Sequence, residues 1–519
     1  MQSFAEQRRA ATGRFLCGLT AILTLAALLG GCTVGPDFQR PQPNLPDEWH
    51  GTAPPAEGSL PAVADLARWW TVFNDATLNA LIQRAAATNL DLQQAEARIR
   101  QARAARAVAA GGLGPSLDAT GAYQRSRTPT ANTTGERTAV TGELYQAGFD
   151  AGWEIDLFGG QRRSLEAADA DLTAAVESRR DVLVSLMAEV ARNYIQLRSD
   201  QQQLAITRRN LTAQQHSNRI TRQRFEGGFV SGLDVAGAEA QAATTAAQVP
   251  LLESAVRQTI YSLSILMGAP PAALEAQLSP EGAIPLRPPV VPVGFPSDLL
   301  RRRPDIRAAE ANLHAATARI GVATAERFPH FTIAGSAGFR AGEAAALFEA
   351  ASGFWSLGPS VNWRLFDSGR LKAGVAVQQA LADQALIAYR QRVLNALQEV
   401  EDALAALEKE QSRRDALATA VAANHKAVML AERLYSDGMT DFINVLQAQQ
   451  ALLSTENALV QSRAAVATDL VSLYKALGGG WENDPMAGDG SPPGDAAIEA
   501  PSTGVDDRQK GLLPEREQE

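Results

Sequence analysis

Tyr435-Ser436-Asp437-Gly438-Met439-Thr440-Asp441-Phe442-Ile443-Asn444-Val445 lies over Phe225-Glu226-Gly227-Gly228-Phe229-Val230-Ser231-Gly232-Leu233-Asp234-Val235 without a gap. Each stretch is a short turn between two long runs of helix-forming residues. The second turn joins an outgoing arm, Arg370 to Tyr435, to a returning arm, Phe442 to Gly478. The outgoing arm has no Pro and is dominated by Ala, Leu, Gln, Glu, Arg and Val, mostly good helix formers. Its apolar residues recur at three- and four-residue steps: Leu397, Val400, Leu404, Leu407, then Leu417, Val421 and Val428. That is coiled-coil-like spacing. Roughly 65 residues at ~1.5 Å each make an arm of ~100 Å. Helices of that length suggest coiled coils, membrane spans or repeats. No stretch here is apolar enough for a membrane-spanning helix.

The first turn belongs to a matching hairpin, out from Arg162 to Phe225 and back from Gly232 to Gly268. The two hairpins end alike, in Leu266-Met267-Gly268 and Ala476-Leu477-Gly478. Helices are expected over Asp75–Ala110 and Ser297–Phe328, where Asp91, Ala95, Glu96 and Ala97 match Asp305, Ala309, Glu310 and Ala311. The same offset carries Pro115 and Gly121 onto Pro329 and Gly335. The chain is an internal duplication with a period of ~210 residues, far longer than solenoid periods. The first repeat is placed at 75–268, with a β-hairpin at 115–158 and a tip at 226–231. The second is placed at 297–480, with a β-hairpin at 329–366 and a tip at 436–441. The connector 269–296 contains eight Pro. The tail 481–519 is rich in Asp, Glu, Pro and Gly and is expected to be disordered.

After each leading helix the period changes from 3.6 to 2. In Tyr145–Leu157 the odd positions are Tyr145, Ala147, Phe149, Ala151, Trp153, Ile155 and Leu157. The even positions include Gln146, Asp150, Glu154 and Asp156. Three weaker runs follow Leu117, Ala119 and Tyr123; Phe331, Ile333, Ala337 and Phe339; and Trp355, Leu357, Val361, Trp363 and Leu365. One face carries carboxylates, amides and Arg; the other carries Trp, Phe and Tyr. That fits a transmembrane barrel with a wet interior and interfacial aromatics. Tyr145, Phe149, Trp153, Trp355 and Trp363 would face lipid, and Asp150 and Asn362 the lumen. The loops Gln124–Gly142 and Arg340–Ser352 are polar or small and are expected to face outward. Four strands cannot close a barrel, and open edges are not tolerated in lipid. The expected fold class is therefore a mixed α+β membrane protein that must oligomerise.

The N-terminus supplies an address. Arg8, Arg9 and Arg14 precede an apolar run from Phe15 to Leu29, the pattern of an export signal. The run ends in Leu29-Gly30-Gly31-Cys32, which resembles a bacterial lipobox. Residues 1–31 would be removed and Cys32 acylated. At ~0.8 kcal/mol per buried methylene, more than one acyl chain anchors stably. Thr33 stands where an Asp retains enteric lipoproteins at the inner membrane, so the outer membrane is expected. Residues 32–74 read as an extended arm, Pro-rich up to about 62.

Composition and motifs narrow the chemistry. The chain has 519 residues, 20% charged and 6% aromatic, with a net charge of −9. That charge argues against general nucleic-acid binding. Both Cys lie in the first 32 residues, so the mature chain has no disulfide, thiolate metal site or nucleophilic Cys beyond Cys32. His50, His216, His314, His330 and His425 lack metal-ligand spacing, and no Walker A or nucleophile-elbow motif occurs. Asp169 and Asp171 point to different helix faces and read as solvated surface. No enzyme, metal or cofactor is expected. The tips remain as functional positions: Gly228, Phe229, Val230 and Ser231 in one turn, Gly438, Met439, Thr440 and Asp441 in the other. Phe229, Val230 and Met439 are apolar at a far, wet end, which suggests a partner surface.

Lipobox, duplicated helix–strand hairpin–long helical hairpin and tip sequences together resemble the TolC-like outer-membrane efflux channels, in their NodT-type lipoprotein subgroup. Leu157-Phe158-Gly159-Gly160 and Leu365-Phe366-Asp367-Ser368-Gly369-Arg370 look like the family's strand-to-helix junctions. The resemblance implies a homotrimer with a 12-stranded barrel, four strands per chain, continuing into a periplasmic helical tunnel. It implies a periplasmic adaptor docking at the tips and an inner-membrane resistance-nodulation-division pump as partners. It also implies a gate: a link between Tyr435 and Asp234, with Thr440 in place of an Arg that makes a charged link in the prototype. Asn444 and Gln447 stand where the prototype has two acidic residues lining the narrowest point. Alternatives are the outer-membrane channel of type I protein secretion, a passive porin-like channel, and a periplasmic coiled-coil scaffold lipoprotein.

Overall fold

Each repeat opens on a helix interrupted at one residue. α1 (Ala76–Thr88) starts where the Asp75 carboxylate accepts the Leu78 amide at 2.9 Å. α2 (Leu90–Gly111) starts from Asn89, whose side chain accepts the Leu92 amide at 3.0 Å. The one helix expected over Asp75–Ala110 is therefore two. Asn89 holds an extended backbone, and its carboxamide also donates to the Leu266 carbonyl at 3.0 Å. β1 (Ser116–Ala131), β2 (Arg137–Ile155), α3 (Gly160–Glu226) and α4 (Gly232–Leu266) complete the repeat. In the second repeat the break falls on Arg303, again extended, ahead of α5 (Pro304–Ala325). The helix expected over Ser297–Phe328 is shortened accordingly. β3 (His330–Ala341), β4 (Gly353–Asn362), α6 (Arg370–Ser436) and α7 (Phe442–Ala476) follow. Arg303 serves α7 as Asn89 serves α4: its guanidinium donates to the Ala476 carbonyl at 3.0 Å, a last-turn acceptor with no partner inside the helix. The two breaks stand two residues before the matched Asp91 and Asp305.

This computed structural model describes residues 33–50, 66–131, 137–286 and 296–482. The expected signal peptide, Cys32, residues 51–65 and 287–295 and the tail beyond 482 lie outside the described residues.

The strands form one antiparallel sheet in the order β1-β2-β3-β4. Register sets Ala119, Phe149, Ala337 and Trp355 in one rung and Asp118, Asp150, Ser336 and Ser356 in the next. Because side chains alternate along a strand, these rungs lie on opposite faces. Hydrogen bonds knit the polar face. Thr120 donates to Asp150 at 3.0 Å, Arg340 to Gln146 at 3.0 Å, and the hydroxyls of Ser336 and Ser356 lie 2.7 Å apart. β1 and β2 stay paired as far as Ala131 and Arg137, so most of the loop expected over 124–142 is ladder. That ribbon is rich in Arg, Ser and Thr on both faces, which leaves no alternation to read. β4 stops at Asn362, so Trp363 and Leu365 lie beyond the strand.

α3 packs against α4, α5 and α7, and α6 against α7. The main core gathers where α1 meets the middle of α3 and α6 and the ends of α4 and α7. Leu78, Ile82, Ile195, Leu263, Val400 and Val471 are buried there. Trp69 stacks on Tyr474 with ring centroids 5.5 Å apart, and the Tyr194 hydroxyl donates to Asp75 at 2.8 Å. Residues 33–40 dock across the strand–helix junction. The Val34 amide donates to the Phe158 carbonyl at 3.1 Å, and buried Arg163 holds Asp37 and Glu166 at 2.5 and 2.7 Å. Phe38 stacks on His314 at 4.5 Å.

Candidate functional site

Both helical tips are closed by the same hydrogen-bond pattern. The Phe229 amide donates to the Arg224 carbonyl and the Met439 amide to the Leu434 carbonyl, each at 2.8 Å. This is a six-to-one C-cap, which places the preceding residue in the left-handed region. Gly228 and Gly438 hold that place with φ of 76° and 73°. The geometry leaves Phe229 80% and Met439 67% exposed. A cleft of about 750 Å³ runs between the tips, lined by Val230, Leu233, Asp234, Tyr435, Ile443 and Leu446, with Arg224 and Asp441 among its charged groups.

The gate residues are divided differently from expectation. The Ser231 amide and hydroxyl donate to the Asp234 carboxylate at 3.0 and 2.8 Å, which makes Asp234 half of a capping box at the start of α4. Tyr435 is buried against α3 instead. Its hydroxyl lies 3.4 Å from Thr221 Oγ1, its ring 4.7 Å beneath the Arg224 guanidinium, and its carbonyl accepts a hydrogen bond from Arg224. Within the single chain no Tyr435–Asp234 hydrogen bond is present: Ser231 holds one carboxylate oxygen of Asp234, and Tyr435 turns to α3. Arg224 was missed in the sequence; its only signal was a basic side chain in the last turn of the first outgoing arm. Asn444 and Gln447 are both exposed. Thr440, noted for a lost charge, accepts a hydrogen bond from Asn444 at 2.7 Å and so orients it.

At the other end, Phe149, Trp153 and Trp355 are exposed on one face of the sheet, and Tyr145 packs on Tyr123 at 4.8 Å. The next pair outward on the same face is the Arg125–Glu143 ion pair at 3.5 Å. At the helix end, Trp153 donates to the Leu113 carbonyl at 3.0 Å and Trp363 to the Arg327 carbonyl at 3.2 Å. Eight residues separate Tyr145 from Trp153, about 26 Å of strand. At a tilt of about 40° this spans about 20 Å, close to the ~25 Å apolar band of membrane barrels. Among the described residues no group of three or more His, Asp or Glu is placed to hold a metal ion.

A family model described as outer membrane efflux protein matches residues 81–269 and 295–479. The chain belongs to that family. The probable efflux pump outer membrane protein TtgC of Pseudomonas putida is 32% identical over 471 residues, covering 89% of this chain and 96% of that protein. Nodulation protein T of Rhizobium leguminosarum bv. trifolii is 31% identical over 469 residues, covering 89% and 97%. The solved outer-membrane channel OprN has a TM-score of 0.81 and 37% identity, over 87% of this chain and 100% of that one. Outer membrane efflux proteins are channels rather than enzymes. Three chains combine, each giving four strands to a 12-stranded barrel and two hairpins to a periplasmic helical tunnel. They sit in the outer membrane and work with an adaptor and an inner-membrane pump.

Proposed function

We propose that this chain is the exit duct through which a resistance-nodulation-division pump expels drugs or other small molecules across the outer membrane. The observation that carries this reading is one chain joining a two-faced sheet to two hairpins whose outgoing helices are 67 residues each, or ~100 Å. A sheet alone would serve a passive pore, and hairpins alone a scaffold. Tyr145, Phe149, Trp153, Trp355 and Trp363 meet lipid, while Asp118, Asp150 and Asn362 line the lumen. Cys32 carries the acyl chains, and residues 33–40, which follow it, dock on the strand–helix junction. Gly228–Ser231 and Gly438–Thr440 receive the adaptor, with Phe229 and Met439 as its apolar contacts. Asp234, Tyr435, Asn444 and Gln447 surround the narrow end.

Phe229→Asp and Met439→Asp test the docking surface in a strain lacking its own copy of the gene. Drug susceptibility should rise to that of the empty strain while trimer abundance in the outer membrane stays unchanged. Wild-type resistance in both variants would remove docking from these residues.

A further inference from the structure

On the polar face of the sheet, Arg340 is the only Arg or Lys and Phe354 the only Phe, Tyr or Trp among the described strand residues. The two meet. The Arg340 guanidinium stands 4.9 Å from the centroid of the Phe354 ring. Its Nε and Nη2 both donate to Gln146 Oε1, at 3.2 and 3.0 Å. A stack on one side and a paired hydrogen bond on the other fix the plane of the guanidinium, although Arg340 is exposed. Gln146 is neutral, so it leaves the charge uncompensated. The adjacent rung toward the helices is Thr120, Gly148, Gly338 and Phe354. A Cβ on Gly148 would stand 2.7 Å from the Ala337 carbonyl oxygen, and one on Gly338 closer still to that of Ala147. Neither position takes a side chain without moving the backbone, so the middle of this rung is bare. Thr120 and Phe354 flank the bare strip, Gln146 and Arg340 bound it on the outer side, and Asp150 and Ser336 on the inner. Four residues of strand separate the Asp150 rung from the Arg340 rung, about 13 Å.

We propose that this strip is a binding site for flat organic anions on the lumenal wall, repeated three times around the barrel near its outer end. The acid group sits on Arg340, and the ring lies over the glycine pair beside Phe354. The proposal rests on the exit-duct reading above and adds a chemical class of cargo to it. Covering Phe354 or the glycines would need only an apolar side chain; a guanidinium held in one plane adds a fork that matches a carboxylate or sulfonate. Because Arg340 is already held, it loses little rotamer freedom when an anion binds. Asp118 and Asp150, the charged groups of the nearest rung that carries any, repel anions, which leaves Arg340 as the place where one stops. At physiological salt, charges in an open lumen are screened beyond ~8 Å. The site therefore acts by contact, and contact with a flat ring requires the bare floor that the two glycines leave.

The test uses the purified full-length trimer in a nonionic detergent, with para-fluorobenzenesulfonate as the probe and para-fluorobenzamide as its neutral counterpart. Fluorine NMR linewidths report binding. The wild type should broaden the sulfonate well beyond the amide, and the excess should vanish in 1 M salt, where the screening length is ~3 Å. Arg340→Gln should reduce the excess at least fivefold. Arg340→Lys keeps the charge without the planar stack and should reduce it at least twofold, as should Phe354→Leu. These two variants carry the test even if Arg340→Gln does not assemble. Equal broadening of both probes by the wild type, or an undiminished excess in Arg340→Gln, overturns the proposal. So does an undiminished excess in Arg340→Lys and Phe354→Leu together, since the stacked guanidinium would then be idle. Binding is read without export. A trimer that binds the sulfonate yet restores no drug resistance therefore fails the exit-duct reading alone, which separates the two outcomes.

Discussion

Asp234 and Tyr435 occupy the positions of a known link, yet each is committed to a nearer partner. A capping carboxylate satisfies helix-start amides of its own segment, and such local bonds form wherever the chain allows. Asp234→Ala should therefore cost α4 about 1 kcal/mol of stability without releasing Tyr435. Thermal melting and bilayer conductance check the two halves; a large conductance rise would restore the link. Asn444 and Gln447 raise a different question. They are three apart on one face of α7, and we propose that each contributes its own ring of amides in the trimer. Carboxylates in a tight pore favour cations and repel anions. Asn444→Asp with Gln447→Asp should strengthen cation preference and block by multivalent cations, and unchanged single-channel selectivity would reject the amide ring. Deeper in the helices, burial pushes Asp200 above the usual carboxylate range, against the donors Gln196 and Thr259. With the folded value raised, the unfolded chain releases its proton first, so stability falls as pH rises from about 4 through the folded value. Asp200→Asn should flatten that decline in melting midpoint, and equal slopes would refute the assignment.

The elements were legible where one period persists. α6 and α7 show their 3.6-residue pattern for dozens of positions, and the tip sequences mark their ends. Tyr145 to Ile155 alternates cleanly because one face meets polar side chains and the other Trp and Phe. The breaks at Asn89 and Arg303 do have local signals, a favoured N-cap residue in Asn89 and Pro304 after Arg303; what was not legible is the partner each side chain reaches, Leu266 and Ala476, well over a hundred residues away. A sequence window cannot show which distant carbonyl a side chain will cap. The outer β1–β2 ribbon was hidden for the opposite reason: its pairing is local, but both faces are polar. Arg224 was written in the sequence, yet a search for apolar stripes passes over it. The sheet also makes a graded prediction. Phe149→Arg, near mid-membrane, should cost roughly 2–4 kcal/mol, whereas an Arg at Trp153 should cost little through its charge because that position lies by the interface. Chemical denaturation of refolded barrels measures both, and equal costs would mean that the depth assignment is wrong.

At the scale of the whole molecule, one chain leaves work undone that three complete. β1 and β4 are edge strands, and unpaired backbone groups in lipid cost several kcal/mol each. Val377, Leu381, Ile387 and Leu394 of α6 are exposed in the single chain, apolar surface that assembly into a trimer can bury. The lipid anchor is an independent attachment. The docking of residues 33–40 rests on Arg163, Asp37, Phe38 and His314 rather than on an acyl chain, and the sheet holds the membrane by its own apolar face. Removing the acyl chains should thus leave a folded, inserted trimer. Cys32→Ala should lose incorporation of labelled palmitate completely, while native mass in detergent still reports three chains and drug export persists at reduced level. Equal palmitate labelling in wild type and variant would mean that Cys32 is not the acylated residue. A variant that is unlabelled and also monomeric would show that the anchor directs assembly, contrary to the separation argued from the arm's contacts.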